Sequence, residues 1–295
     1  MGIPKGGIAF FDSGIGGLTV LQACKKLLPN ETFYYYGDNK RAPYGNLPVE
    51  KIKKYVARAF KRFQRLRVKA VVLACNTVTA VCVEELRKEY AFPIIGTEPA
   101  ILTAAKRGGE VFVLTTRATY KSIRFQALLK KTRELFPKTE IKAFPCDGLA
   151  GAIEKKLTNK EEDYTPFLPQ GKPSAVVLGC THYVYVAEQI GRFYGCETFD
   201  GNEGVALRLR AVLEEQKTQK IHLDPFRPPK DKKASFSSLK EARERGQGRK
   251  KHSSKKTKEE MKWSDRPILD RGQGQIYFLG SGKKRNKSIN KQTFV

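Results

Sequence analysis

The chain has 295 residues, 29% of them charged, and a formal net charge of +26 at pH 7. That length supports two domains with ordinary cores, and no apolar stretch is long enough to read as a membrane-spanning helix. The charge is uneven, with a net +15 carried by residues 217–295, so any affinity for polyanions is separable from chemistry further upstream.

Six cysteines stand at positions 24, 75, 82, 146, 180 and 196 with no CxxC pair, which removes zinc-ribbon spacing. The opening residues lack the apolar core of a signal peptide. The expectation is a cytoplasmic, reduced protein with no membrane contact, whose free thiols are available for chemistry.

In chain order, residues 8–11 form a strand, and Asp12-Ser13-Gly14-Ile15-Gly16-Gly17 is the loop after it. Leu18, Leu21, Cys24 and Leu28 then keep helical spacing. The glycines leave backbone N–H groups free to hold an anion. Thr19 stands where a dinucleotide fingerprint has its third Gly, and no Lys follows as in a P-loop. Asp12 and Ser13 at the strand tip suit a small zwitterion.

A second strand over 33–36 leads to a polar loop over 37–45. Val49, Ile52, Val56, Phe60, Phe63 and Leu66 then mark an amphipathic helix whose other face, crowded with Lys and Arg, reads as solvated. Val71-Val72-Leu73-Ala74-Cys75-Asn76-Thr77 is a buried strand with Cys75 at its end. A helix is expected over 79–90, with Cys82 as an apolar filler. Residues 93–99 close this first unit.

The second unit repeats the first. A strand over 111–114 ends at Thr115-Thr116-Arg117-Ala118-Thr119 and enters a helix at Tyr120, in the place the Asp12 loop holds relative to Cys75. A strand over 141–144 reaches Cys146, and Ile153-Glu154 lie on a short helix. Val176-Val177-Leu178-Gly179-Cys180-Thr181-His182 restates the Cys75 strand. A strand over 197–199 and an amphipathic helix through Val205, Leu209 and Val212 follow. Residues 217–272 offer little to bury and read as a disordered basic insertion. Residues 275–280 read as an edge strand.

The fold class this implies is α/β, two duplicated domains with largely parallel central sheets and the active site in the cleft between them. The first domain takes 1–98 plus approximately 206–216 and 273–295, and the second takes 99–205. Cys75 and Cys180 then sit at carboxyl ends of equivalent strands, where open α/β sheets bind ligands. A disulfide between them conflicts with a reducing compartment. A Cys–His hydrolase leaves one strand-end thiol idle, and His182 lies in the same turn as Cys180. Two inert buried thiols explain one position more easily than both. A pair of acid/base thiols uses both: one removes a proton from a carbon and the other returns a proton to the opposite face.

Four motifs carry a resemblance. Residues 12–20, then Tyr36-Gly37-Asp38 with Pro43-Tyr44-Gly45, then Ala74-Cys75-Asn76-Thr77, then Leu178-Gly179-Cys180-Thr181-His182-Tyr183 are similar to glutamate racemases, of the Asp/Glu racemase family, in the family's order over 7–216. The resemblance implies cofactor-independent interconversion of L- and D-glutamate for peptidoglycan, with no metal. It implies Cys75 and Cys180 as the two bases, Asp12 assisting the first and His182 the second. Ser13, Tyr44, Gly45, Asn76, Thr77 and Thr181 would hold the substrate, joined by Thr119 and Glu154, and the oligomeric state is left open with a homodimer as one alternative. Val184 stands where the family carries Pro after the Thr-His-Tyr triplet. A racemase of aspartate or another amino acid is the neighbouring alternative, although its aspartate-acting members carry an acidic residue where His182 stands. A polyanion-binding protein, taking nucleic acid through residues 217–295, is the alternative of another class.

Overall fold

The computed structural model describes residues 6–156, 162–218 and 275–279. Its first strand, β1 (Ile8–Asp12), is buried along its whole length, because consecutive side chains serve opposite faces of one sheet. Phe11 packs into the core on one side and Phe10 into the core on the other. The chain then winds through α1 (Leu18–Leu27), β2 (Phe33–Gly37), α2 (Val49–Arg65), β3 (Ala70–Leu73), α3 (Asn76–Glu89) and β4 (Ile94–Gly96).

After α4 (Ile101–Ala105) a second sheet is laid down by β5 (Gly109–Thr115), β6 (Thr139–Pro145), β7 (Ala175–Gly179) and β8 (Glu197–Phe199). Between these strands run α5 (Arg117–Tyr120) and α6 (Ile123–Leu135), α7 (Leu149–Lys156), and α8 (Ala187–Tyr194). The chain returns through α9 (Asn202–Thr218) to β9 (Ile276–Phe278).

All the described strand pairs are parallel, and the two sheets have orders β4-β3-β1-β2-β9 and β6-β5-β7-β8. Read from the opposite edge, the second is β8-β7-β5-β6, so β5 corresponds to β1, β6 to β2, β7 to β3 and β8 to β4. Cys75 and Cys180 follow the equivalent strands β3 and β7. These are two α/β domains with parallel central sheets, and their carboxyl strand ends face one another. Cross-domain hydrogen bonds described below join them.

Each helix is placed by its apolar face. On α2, Ile52, Val56, Ala59, Phe60 and Phe63 are buried against β1 and β3, whereas Lys51, Lys54, Arg58, Lys61 and Arg65 are exposed. On the other side of the sheet, Leu209 and Val212 of α9 pack with Leu21 and Cys24 of α1, which binds the returning chain to the first domain.

The structure differs from the sequence expectation at three boundaries. Cys75 keeps extended backbone (φ −77°, ψ 120°) and serves as N-cap, so α3 starts at Asn76 rather than at 79. The helix expected from Tyr120 is divided: Ser122 is extended, and its Oγ accepts from the Phe125 N–H at 3.1 Å to begin α6. The last helix runs to Thr218, two residues into the stretch expected to be disordered. The remainder of that stretch lies outside the described residues.

β9 adds to the first sheet beside β2, with Tyr277 against Tyr34 at 5.7 Å between ring centroids. Both rings are buried. Tyr277→Ala should therefore cost about 3 kcal/mol of stability, measured as a lowered urea midpoint at unchanged slope. An unchanged midpoint would mean that the strand contributes nothing to the domain.

Candidate active site

β1 and β3 are neighbours, so their carboxyl ends deliver Asp12 and Cys75 to one wall of the interface. Both are buried, Asp12 at 0% exposure and Cys75 at 5%. Cys75 Sγ lies 3.7 Å from Ser13 Oγ, within hydrogen-bond reach, and the Val78 N–H in the first turn of α3 is directed at the sulfur. That donor and Ser13 lower the thiol pKa. Burial, Asp12 and Cys180 raise it and prevail, leaving Cys75 pushed up to about 12. In this closed state Cys75 is therefore a neutral thiol.

The opposite wall is built at the end of β7. Cys180 Sγ lies 3.8 Å from His182 Nδ1, and His182 Nε2 is paired with the carboxylate of Glu154 on α7. Burial disfavours the imidazolium, but its partners Cys180 and Glu154, with Asp12 further off, outweigh this and hold the His182 pKa well above its ordinary value.

The walls meet through the Asp12 loop. Asp12 Oδ1 accepts from the Gly14 N–H at 2.8 Å, and Oδ2 accepts from the Thr181 hydroxyl of the other domain at 3.2 Å. Burial raises the Asp12 pKa, while His182 and the Gly14 and Gly17 amides act against it. The approach leaves no room for side chains in the loop. A Cβ on Gly14 would stand 2.6 Å from Glu154 Oε2, and one on Gly16 would strike Thr181 Oγ1 and come within 2.9 Å of the His182 amide.

A second bridge is made of hydroxyls. Thr77 Oγ1 and Thr116 Oγ1 lie 2.9 Å apart across the interface, and Thr116 donates to Thr119 Oγ1 at 3.1 Å. Gly45 packs against Thr116. Tyr44 donates to Asp38 at 2.6 Å, and Arg41 holds the same carboxylate at 2.8 Å. Asn76 is turned to the Thr97 carbonyl at 3.3 Å, beside a void of about 10 Å³ also lined by Thr119 and Arg124. A groove of about 940 Å³ at the junction of the domains, lined by Arg87, Glu98, Phe199 and Arg208, includes neither Cys75 nor Cys180.

The structure thus gathers Asp12, Ser13, Cys75, Glu154, Cys180, Thr181 and His182 into one connected cluster. It sets Tyr44, Gly45, Thr77 and Thr119 in an adjoining one, with Asn76 at its edge. The sequence reading assigned no part to Asp38 or Thr116. Both lay in quoted motifs, but their contacts are made only on folding. Both thiols are buried, Cys75 at 5% and Cys180 at 7% exposure.

The Asp/Glu/Hydantoin racemase model matches residues 19–207, and the chain belongs to that family. Within the family its relatives include glutamate racemases. That of Clostridium novyi (strain NT) is 38% identical over 229 residues, covering 74% of this chain and 87% of the relative. That of Clostridium botulinum (strain Kyoto / Type A2) is 36% identical over 250 residues, covering 78% and 95%. The Escherichia coli glutamate racemase, solved with L-glutamate and the activator UDP-MurNAc-Ala, superposes with a TM-score of 0.64 at 28% identity over 72% of this chain and 83% of that one. An isoform from Bacillus anthracis gives 0.60 at 28% identity over 72% and 82%.

Two outcomes test the geometry. Gly16→Ala should keep the fold yet lower kcat/KM for racemisation by at least about a hundredfold, because the added methyl holds the walls apart. Activity near wild type would mean that the closed approach is not the working one. The 240 nm thiolate absorbance of wild type minus Cys75→Ala should stay flat from about pH 7 to 9, the raised pKa keeping the proton on sulfur until more alkaline pH. Asp12→Asn removes a neighbouring negative charge, so the titration should move to lower pH. A titration unmoved by Asp12→Asn would remove Asp12 as the neighbour that holds the proton on Cys75.

Proposed function

We propose that this protein is a cofactor-independent glutamate racemase in which Cys75 and Cys180 act on opposite faces of the α-carbon. The observation that supports this reading best is the placement of the two thiols. They end equivalent strands of duplicated domains, on facing walls, each beside an ionisable partner that differs from the other's.

The chemistry needs such a pair. A thiolate takes the α-proton and becomes a thiol. The electron pair left on carbon is delocalised into the α-carboxylate, and the opposite thiol gives its proton to the other face and becomes the thiolate. After one turnover the two sulfurs have exchanged protonation states, and proton transfer through their partners, Asp12 and the His182–Glu154 pair, restores them. The α-proton is far less acidic than a thiol, so negative charge on the carboxylate must be met by fixed donors in a site closed to water. Ser13, Asn76, Thr77, Thr119, Thr181 and the amide of Gly45 are suited to hold the substrate, with Tyr44 fixing the Gly45 turn. The product, D-glutamate, would serve peptidoglycan synthesis in the cytoplasm.

The test is circular dichroism of the purified protein with L- or D-glutamate and no added cofactor. Both enantiomers should relax to the racemate, and aspartate should be turned over poorly. Absence of racemisation of either amino acid would defeat the reading, and equal kcat/KM for aspartate would move it to the broader amino-acid racemases.

Cys75→Ala and Cys180→Ala should each abolish racemisation, a loss of at least about 10³-fold, while retaining deuterium exchange at Cα or elimination from a β-substituted analogue with one enantiomer only. Full racemisation by either variant would exclude two bases.

A further inference from the structure

The Asp12–Gly17 turn is pinned at both of its central carbonyls. The Tyr35 hydroxyl, from β2 of the same domain, donates to the Gly14 carbonyl at 2.9 Å. The Tyr185 hydroxyl, from the short 3-10 turn Tyr183–Val186 of the other domain, donates to the Ile15 carbonyl at 2.9 Å. That carbonyl also accepts the Leu18 N–H at 3.1 Å, which begins α1. A carbonyl oxygen has two lone pairs, and both are used here.

The consequence falls on the amides of the same turn. With its carbonyls directed at Tyr35 and Tyr185, the turn presents the Gly14 N–H to Asp12 Oδ1 at 2.8 Å, and the Gly17 amide points at the same carboxylate. Asp12 in turn acts electrostatically on Cys75. Tyr185 is itself within electrostatic reach of Asp12 and Glu154. It follows Cys180 by five positions, on the other domain, so it can hold the Ile15 carbonyl only while the domains are closed.

We infer that Tyr185 is a positioning residue for the Cys75 half of the reaction, clamping the Ile15 carbonyl on closure so that the Asp12 turn is set only in the closed state. This rests on the racemase reading above. It makes the second domain a determinant of the first domain's proton-transfer geometry, through a residue outside the substrate contacts.

Tyr185→Phe removes the hydroxyl and keeps the ring. Because the enantiomers are equal in free energy, kcat/KM should fall equally in both directions, by about tenfold for one lost hydrogen bond at a positioned group. The distinguishing readout is the primary isotope effect on kcat/KM with Cα-deuterated L- and D-glutamate. It should rise for the enantiomer whose α-hydrogen Cys75 removes, and fall for the other, whose reprotonation by Cys75 becomes the slower step. The two enantiomers are assigned from the single-cysteine variants. A purely structural defect would lower the melting temperature and move both isotope effects alike, and that result overturns the proposal, as does an unchanged kcat/KM.

Amide hydrogen exchange reads the clamp without catalysis. Exchange at Gly14, Gly17 and Leu18 should accelerate in Tyr185→Phe while β1 and β3 stay protected, and unchanged exchange in the turn overturns the clamp. If the wild type fails to racemise, the functional reading falls and the exchange result still decides the tether. Tyr185→Leu, which also lacks the hydroxyl, serves if the Phe variant cannot be purified.

Discussion

A buried carboxylate is the constraint around which the interface is arranged. Asp12 has 0% exposure and sits where two domains meet. Removing an ionised carboxyl from water costs several kcal/mol unless donors replace the lost hydration. The donors are the Gly14 and Gly17 amides from its own domain and a threonine hydroxyl from the other, with His182 also favouring the charged form. None of these is a direct ion pair. The cluster is therefore held largely by oriented dipoles, and it is complete only when both domains contribute. The same requirement explains the glycines: amides can be brought to the carboxylate, and the opposite wall to the turn, only where no Cβ intervenes.

Duplication supplied two equivalent strand ends, and divergence made them chemically unequal. Cys75 caps a regular helix of 14 residues and is kept neutral by burial beside an acid. Cys180 is followed by a short 3-10 turn and faces the His182 imidazole, which Glu154 backs and whose pKa is held above its ordinary value. In the two-base reaction we propose, one thiol gives a proton to the α-carbon while the other takes one, so the two begin each turnover in different states. The asymmetry lies in what surrounds the sulfurs, while the topology that places them is the same on both sides.

Much of this was legible in the chain. Short β-branched runs such as Val71-Val72-Leu73 and Val176-Val177-Leu178 identify buried parallel strands, since both of their faces are covered. The repeated small residue and Cys after each run put the thiols at strand ends. Local signals fared worse where backbone geometry decides. Cys75 ends one element and caps the next, so α3 starts three residues before its apolar periodicity becomes visible. Asp38, Thr116 and Tyr185 acquire their parts only from partners 6, 39 and 170 positions away. No periodicity encodes a tyrosine hydroxyl meeting a carbonyl in another domain.

The parallel pairing of β9 with β2 has a temporal side. The two strands lie more than 240 residues apart in the chain. During synthesis at roughly 5–20 residues per second, β2 leaves the ribosome about 10–50 s before its final neighbour exists. Through that interval the first sheet presents an unpaired β2 edge, the kind of template on which chains misassociate. Closure of so long a loop contributes little further entropy, since that cost grows only logarithmically. The liability is therefore one of time rather than of free energy. The first domain to emerge from the ribosome is the last to be finished, so a change in β9 is felt in chaperone occupancy of the nascent chain as well as in equilibrium stability.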